Sequence, residues 1–253
     1  MAEQNILFIC EGLEDEPGFI KKLMSVSYPS LKYRVYSYKT TIHTLASKLD
    51  HDYPDFDSGE VDIQLILKEM ESDEETRKML SSDFSDIILA FDFDPHHDHP
   101  RFDTVMKMLE FYVDSTDMGK LYINYPMMQS FKHFSALPDL AYLEKCASPF
   151  GYKKLVGLES RFSDLSGYRF ETFVKIAVLN IRKVNNILNG SCILMTADEY
   201  KQIDWKEVYR TELELFLNTG ETHVLNTLCM FLTDYNVNRF FSLVCKHQEK
   251  YYV

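Results

Sequence analysis

The chain has 253 residues, of which 45% are hydrophobic and 26% charged, enough to bury a sizeable core as one large domain or a domain plus an appendage. Its net charge of −12 argues against a protein that coats duplex DNA through a broad basic surface, but not against a metal-dependent nuclease, whose clustered carboxylates are themselves a source of negative charge. Ile6 to Cys10 is too short an apolar run for a signal peptide, and no run approaches the roughly 20 apolar residues of a spanning helix, so the expectation is a cytoplasmic protein that does not cross a membrane.

Ile6-Leu-Phe-Ile-Cys10 is continuously apolar, as parallel strands buried on both faces are. Pro17 opens a helix with Phe19, Ile20, Leu23 and Met24 on one face. Tyr33 to Lys39 alternates β-branched and aromatic residues with polar ones and reads as a second strand. Asp50 to Glu60 is polar and holds Pro and Gly, the composition of an exposed loop. Val61, Leu65, Ile66 and Met70 mark another helical face, and Ile87-Ile-Leu-Ala-Phe91 is a third strand. Val105, Met108, Leu109 and Tyr112 form a further helix, and Lys120-Leu-Tyr-Ile-Asn124 a fourth strand. Strands alternating with helices predict an α/β domain over residues 1–150, with a mostly parallel four-strand sheet covered by helices.

Residues 151–253 read as a helical subdomain. Phe170, Phe173, Val174, Ala177, Val178, Ile181, Val184 and Leu188 trace a long amphipathic helix. Further helices are expected at Trp205–Leu217, His223–Leu232 and Val237 to about Tyr251, with a short strand as a candidate at Cys192–Met195. Cys10, Cys146, Cys192, Cys229 and Cys245 contain no CxxC pair and are odd in number, so they read as reduced thiols rather than a zinc ribbon or a disulfide framework.

Ligands of open parallel sheets gather at the carboxyl ends of strands. Two strands here end in acids, the first in Glu11-Gly12 and the third in Asp92-Phe93-Asp94-Pro95. Residues i and i+2 of an extended segment point the same way, which would aim Asp92 and Asp94 at one place. Gly12 permits a sharp turn and close approach of a ligand. Carboxylates that converge repel one another unless cations bind, and oxygen donors suit Mg²⁺ or Mn²⁺. Each acid taken singly is also at home as a helix cap or turn residue; it is the pair of acidic strand ends that points to metal chemistry.

These two motifs resemble the Toprim family of metal-dependent nucleic-acid enzymes. Ile6-Leu-Phe-Ile-Cys-Glu11-Gly12 matches its apolar strand ending in Glu-Gly, and Leu89-Ala-Phe-Asp92-Phe-Asp94 its strand ending in DxD, so the likeness covers roughly residues 5 to 130. More narrowly, the chain looks like the stand-alone Toprim nucleases of bacterial anti-phage defence, the OLD-like, PARIS and RloB-like groups. The resemblance implies Glu11 as general acid/base or metal ligand, Asp92 and Asp94 as metal ligands, and a further acid shortly after Glu-Gly. Within Glu14-Asp15-Glu16 that role is assigned to Asp15. It also implies DNA or tRNA as substrate and an ATPase as partner subunit, with a homodimer left open. In the family, a Tyr-Pro segment leads into a Glu; here Tyr125-Pro126 leads to Gln129, which carries no charge for a second metal.

His96 and His97, with His99 beyond, follow the DxD and are candidates for metal or phosphate contact or for an ordinary polar loop. Lys132 and Lys153 are candidate phosphate-binding residues, together with His133, Lys154, Arg161, Lys175 and Arg182. Tyr122, Tyr125, Phe131 and Phe134 suit either base stacking or, more simply, core packing. A catalytically weak effector subunit that acts by binding its ATPase is the competing function. A DxD nucleotide-sugar transferase would not account for Glu11-Gly12.

Overall fold

The computed structural model describes residues 4–58 and 62–251. Val61, and the Gly59-Glu60 end of the expected loop, lie outside them. The chain forms two compact units that alternate along the sequence. One takes in the chain up to Pro17 with Ser30–Phe91 and His96–Tyr122; the other takes in Gly18–Pro29, Asp92–Pro95 and the chain from Ile123 on.

One sheet has the strands β1 (Asn5–Cys10), β2 (Lys32–Ser37), β3 (Asp86–Asp92), β4 (Val113–Asp114) and β5 (Gly119–Asn124), in the order β2-β1-β3-β5-β4. β1 is parallel to both β2 and β3, with Phe8 opposite Val35 on one side and Ile88 on the other. Consecutive residues of β1 and β3 are buried, so both faces of the central strands are covered, as their continuous apolar runs require. The expected four strands are present. A fifth, β4, pairs antiparallel with β5 and makes the sheet mixed. Gly119 has φ 117°, and a β-carbon there would lie 2.9 Å from Leu89 Cδ1, so this position of β5 takes only glycine.

The helices follow local signals. α1 (Asp15–Ser27) carries Asp15 and Glu16 in its first turn, where carboxylates favour the helix dipole. α2 (Ile42–Asp52) is capped by the Thr41 side chain, which accepts from Thr44 N–H, and buries Ile42, Leu45, Ala46 and Leu49. The polar end of α2 overlaps the predicted loop, whose Asp50–Asp52 is therefore helical. α3 (Ile63–Met70) and α4 (Glu74–Leu80) are capped by Asp62 and Asp73. α5 (Phe102–Phe111) buries Val105, Met108 and Leu109, as the spacing anticipates.

The second unit holds β6 (Cys146–Ala147), α6 (Tyr152–Glu159), α7 (Phe170–Asn189), α8 (Ala197–Lys201), α9 (Trp205–Thr219), β7 (Thr222–His223), α10 (Phe231–Asp234), α11 (Val237–Lys246) and α12 (Gln248–Tyr251). The 20-residue α7 is the predicted long helix, and Gly190 closes it with φ 64°. Phe19 packs its ring 4.9 Å from Phe131 and 5.4 Å from Phe173. Asn180, fully buried on α7, accepts from Tyr142 Oη at 2.7 Å and from Asn226 N–H at 2.8 Å.

Two expectations fail here. His223–Leu232 is not one helix: β7 ends at His223, and helical turns resume only at Leu228. Asn226 Nδ2 donates to Met128 O at 3.1 Å and Thr227 Oγ1 to Ile123 O at 2.8 Å, long-range bonds that a helix through this segment would forgo. Cys192–Met195 is irregular rather than a strand; Arg182 Nε and Asn185 Nδ2 hold the Cys192 and Ile193 carbonyls from α7. Among the described residues no helix is long and apolar enough to cross a membrane.

Candidate functional site

β1 lies between β2 and β3, so the chain leaves β1 towards one side and crosses to the other for β3. In an open parallel sheet such a reversal leaves a crevice beyond the carboxyl ends of the two strands. Cys10 is in register with Ala90; Glu11 is the first residue past β1 and Asp92 the last of β3.

Glu11 is half-buried, and its carbonyl accepts from Lys39 N–H at 3.0 Å, carrying the β1–β2 ladder one step past the strands. Lys39 itself turns out of the strand at φ 65°. Of the acids after Gly12, Glu14 is exposed, Asp15 is half-buried, and Glu16 is only 5% exposed. A β-carbon on Gly12 would collide with Glu16 Oε2, so the Glu16 carboxylate rests against the backbone that glycine leaves bare. The Cys10 thiol senses both acids. Burial pushes its pKa up to about 12, Glu16 adds to the rise, a Ser37 hydrogen bond opposes it, and Glu11 contributes least. The acid folded back towards the end of β1 is thus Glu16, one residue beyond the Asp15 that sequence reasoning assigned. The clue available beforehand was the helix start, which sets which member of Glu14-Asp15-Glu16 faces inward.

Asp92 is half-buried, and its Oδ1 accepts from Met128 N–H at 2.6 Å. It also adds, after burial and Glu159, to the forces that raise the Tyr152 phenol well above its ordinary pKa. Asp94 lies beyond β3 at φ 42°, a left-handed conformation immediately before Pro95. The extended-chain argument for Asp92 and Asp94 therefore does not apply to Asp94. A non-glycine residue held in this region before a proline stores strain of about 1–3 kcal/mol.

Carboxylate oxygens are the donors that Mg²⁺ and Mn²⁺ prefer. Among the described residues, no group of three or more His, Cys, Asp or Glu side chains is arranged to hold a metal ion.

His96 and His99 are exposed and His97 half-buried. His97 Nδ1 accepts from His99 N–H at 3.2 Å, and its ring lies 5.4 Å from that of His43, a fully buried residue of α2 that sequence reasoning missed. His43 Nδ1 accepts from Arg101 N–H at 3.1 Å, so this histidine positions the loop after β3.

Lys153, Lys154 and Arg161 are exposed, and Lys132 is half-buried with its Nζ 5.4 Å from the Phe131 ring. Arg182 is 9% exposed and donates to Cys192 O, and His133 is buried between Tyr152 Oη and Glu159, each at 2.9 Å; neither presents an open phosphate contact. Tyr122, Tyr125, Phe131 and Phe134 belong to the core. Gln129 is buried at 3% exposure. Comparison with protein-family models, with curated proteins and with solved structures finds no match.

Proposed function

We propose that this chain is a Mg²⁺- or Mn²⁺-dependent endonuclease of the Toprim type, cleaving phosphodiesters of DNA or tRNA as an effector of anti-phage defence. What carries the reading is the switch point of the sheet, where neighbouring parallel strands end in Glu11 and Asp92, with Glu16 buried against Gly12. Glu11, Asp92 and Asp94 are the acidic set, and Glu16 takes the role first given to Asp15. The residues that would hold a divalent cation are Glu11, Asp92, Asp94 and Glu16, and such a cation would supply charge to the scissile phosphate and make a bound water more acidic. Glu11 is the residue assigned to accept or return the proton exchanged in the cleavage. Met128 N–H fixes the Asp92 carboxylate. Exposed Lys153 and half-buried Lys132, with His96 and His97, are assigned to phosphate contacts.

The test is incubation of the purified chain with plasmid DNA and with tRNA, in Mg²⁺ and in Mn²⁺, with an EDTA control and the Glu11→Ala and Asp92→Asn variants. The reading expects EDTA-sensitive cleavage that both variants lose. Cleavage that persists in both variants overturns it.

Gln129 favours a second reading, an effector subunit of weak catalytic power that acts by binding an ATPase. It is buried and uncharged where the resemblance expects an acid. Prompt cleavage by the isolated chain excludes that reading.

A further inference from the structure

Within the second unit, the end of α1, the start of α7 and the α10–α11 corner border a cavity of about 330 Å³. Sites for single small molecules run from roughly 300 to 1,000 Å³, so this one is of a size for one modest ligand. Ser27, Tyr28, Phe170, Tyr235, Asn236 and Arg239 line it. Tyr28, Phe170 and Tyr235 are half-buried rather than sealed in the core, so part of each ring is open to a guest. The Tyr28 and Tyr235 rings lie 4.5 Å apart at 53°, an aromatic wall that a flat ring can extend by stacking.

The charge of the lining selects the guest. Among the described residues no Asp or Glu lines the cavity, although the chain carries 39 of them. Arg239 of α11 is exposed, and among the described residues its guanidinium has no carboxylate or hydrogen-bond partner. Asp234, close by in the chain, accepts from Tyr200 Oη at 2.8 Å and is not part of the lining. Burial raises the Tyr28 phenol above its ordinary pKa and Tyr235 adds to the rise; Arg239 opposes it, and Asp234 contributes least, so the guanidinium charge is felt at the cavity wall. Asn236 spends its Oδ1 on the Arg239 N–H at 3.0 Å, which leaves its Nδ2 as a donor. Ser27 Oγ is buried and has no hydrogen-bond partner among the described residues, a cost that an acceptor on a ligand would relieve.

A flat aromatic face, an unpaired planar cation and room for one small molecule call for a ligand that is both aromatic and anionic. We propose that this cavity binds a free nucleoside monophosphate, with the base stacked against Tyr28 and Tyr235 and the phosphate paired with Arg239. The guanidinium fork matches phosphate oxygens, and charge-assisted bonds of this kind are the strong ones. Stacking tolerates any base, because every base has a π-face, so the site reads the phosphate more strictly than the base. None of the strand-end acids lines the cavity, and the proposal stands whether or not the chain cleaves nucleic acid.

The full chain is titrated with AMP, GMP, CMP and UMP by calorimetry, in EDTA so that no divalent cation at the strand ends can hold a phosphate. At least one should bind with a Kd below about 1 mM. The matching nucleoside, and inorganic phosphate alone, should each bind at least about tenfold more weakly. Arg239→Gln, a change at an exposed side chain, should weaken the nucleotide about tenfold, and Tyr235→Leu should weaken it as well. Failure of all four nucleotides to saturate the native chain, a nucleoside that binds as tightly as its monophosphate, or unchanged affinity in Arg239→Gln overturns the proposal. So does a 5′-phosphorylated single-stranded oligonucleotide that binds through Arg239 tenfold more tightly than any mononucleotide, which would make the cavity a seat for a chain end. If Tyr235→Leu does not fold, Arg239→Gln and the nucleoside comparison decide.

Discussion

Asp92 Oδ1 accepts the backbone N–H of Met128 at 2.6 Å, so the last residue of β3 holds the segment that follows β5. A hydrogen bond to a charged acceptor contributes about 1.5–3 kcal/mol. Asp92→Ala should lose cleavage and also melt at a lower temperature, by an amount equivalent to about 2 kcal/mol. Asp92→Asn retains an acceptor oxygen and should lose cleavage while melting near the native temperature. Comparing cleavage assays with thermal melts separates the two roles; an Asn variant that still cleaves removes Asp92 from the chemistry.

Gly12→Ala tests the Glu16 assignment. The new methyl would meet the far end of the Glu16 side chain, which is flexible, so stability should fall by no more than about 1 kcal/mol. The carboxylate, however, must leave its place. Cleavage should drop by about tenfold or more, and Glu16→Gln should match it, whereas Asp15→Asn should have little effect. Equal losses from Asp15→Asn and Glu16→Gln would return the role to Asp15.

Opposed titrations are expected in the second unit. His223 is raised from 6.5 to about 9, so its stabilising contribution is complete below pH 6.5 and is lost as the pH rises through 9. Burial lowers Lys183 from 10.5 to about 7, so its penalty is complete below pH 7 and lifts as the pH rises to 10.5. Between pH 7 and 9 the two cancel in large part, and urea unfolding of the native chain should vary little. His223→Gln should become more stable as the pH rises through that window, by up to about 1.4 kcal/mol per pH unit. Lys183→Met should become less stable. Parallel slopes in the two variants would refute the assignment.

Asn180→Ala should be among the costliest substitutions of α7. It strips the acceptor from Tyr142 Oη and from Asn226 N–H inside the core. Each buried donor left without its partner costs about 1–3 kcal/mol, so a loss of about 2–5 kcal/mol is expected in denaturant titration. A loss below about 1 kcal/mol would show that the core rearranges to satisfy both.

β1 and β3 were legible because burial on both faces writes an unbroken apolar run, and their acidic ends stand out against it. Legibility fell where long-range polar contacts outvote local spacing. Val224, Leu225, Leu228, Phe231 and Leu232 repeat like a helix, yet Asn226 and Thr227 spend their side chains on Met128 and Ile123. Glu16 was hidden by rotation: one residue decides which acid of three faces inward. Asp94 obeys its turn rather than the alternation of a strand. Ser27, Phe170 and Arg239 have no shared motif, because only the fold brings α1, α7 and α11 together.

The central place of β1 has a consequence for how the chain is made. Ile6 pairs with Tyr33 on one side but must wait for Asp86 on the other, 80 positions later. Pairing across such a span pays its loop-closure cost before any contact repays it. During synthesis Ile6-Leu7-Phe8-Ile9 therefore presents an open apolar edge until β3 has emerged, and that edge is where premature association of growing chains would begin.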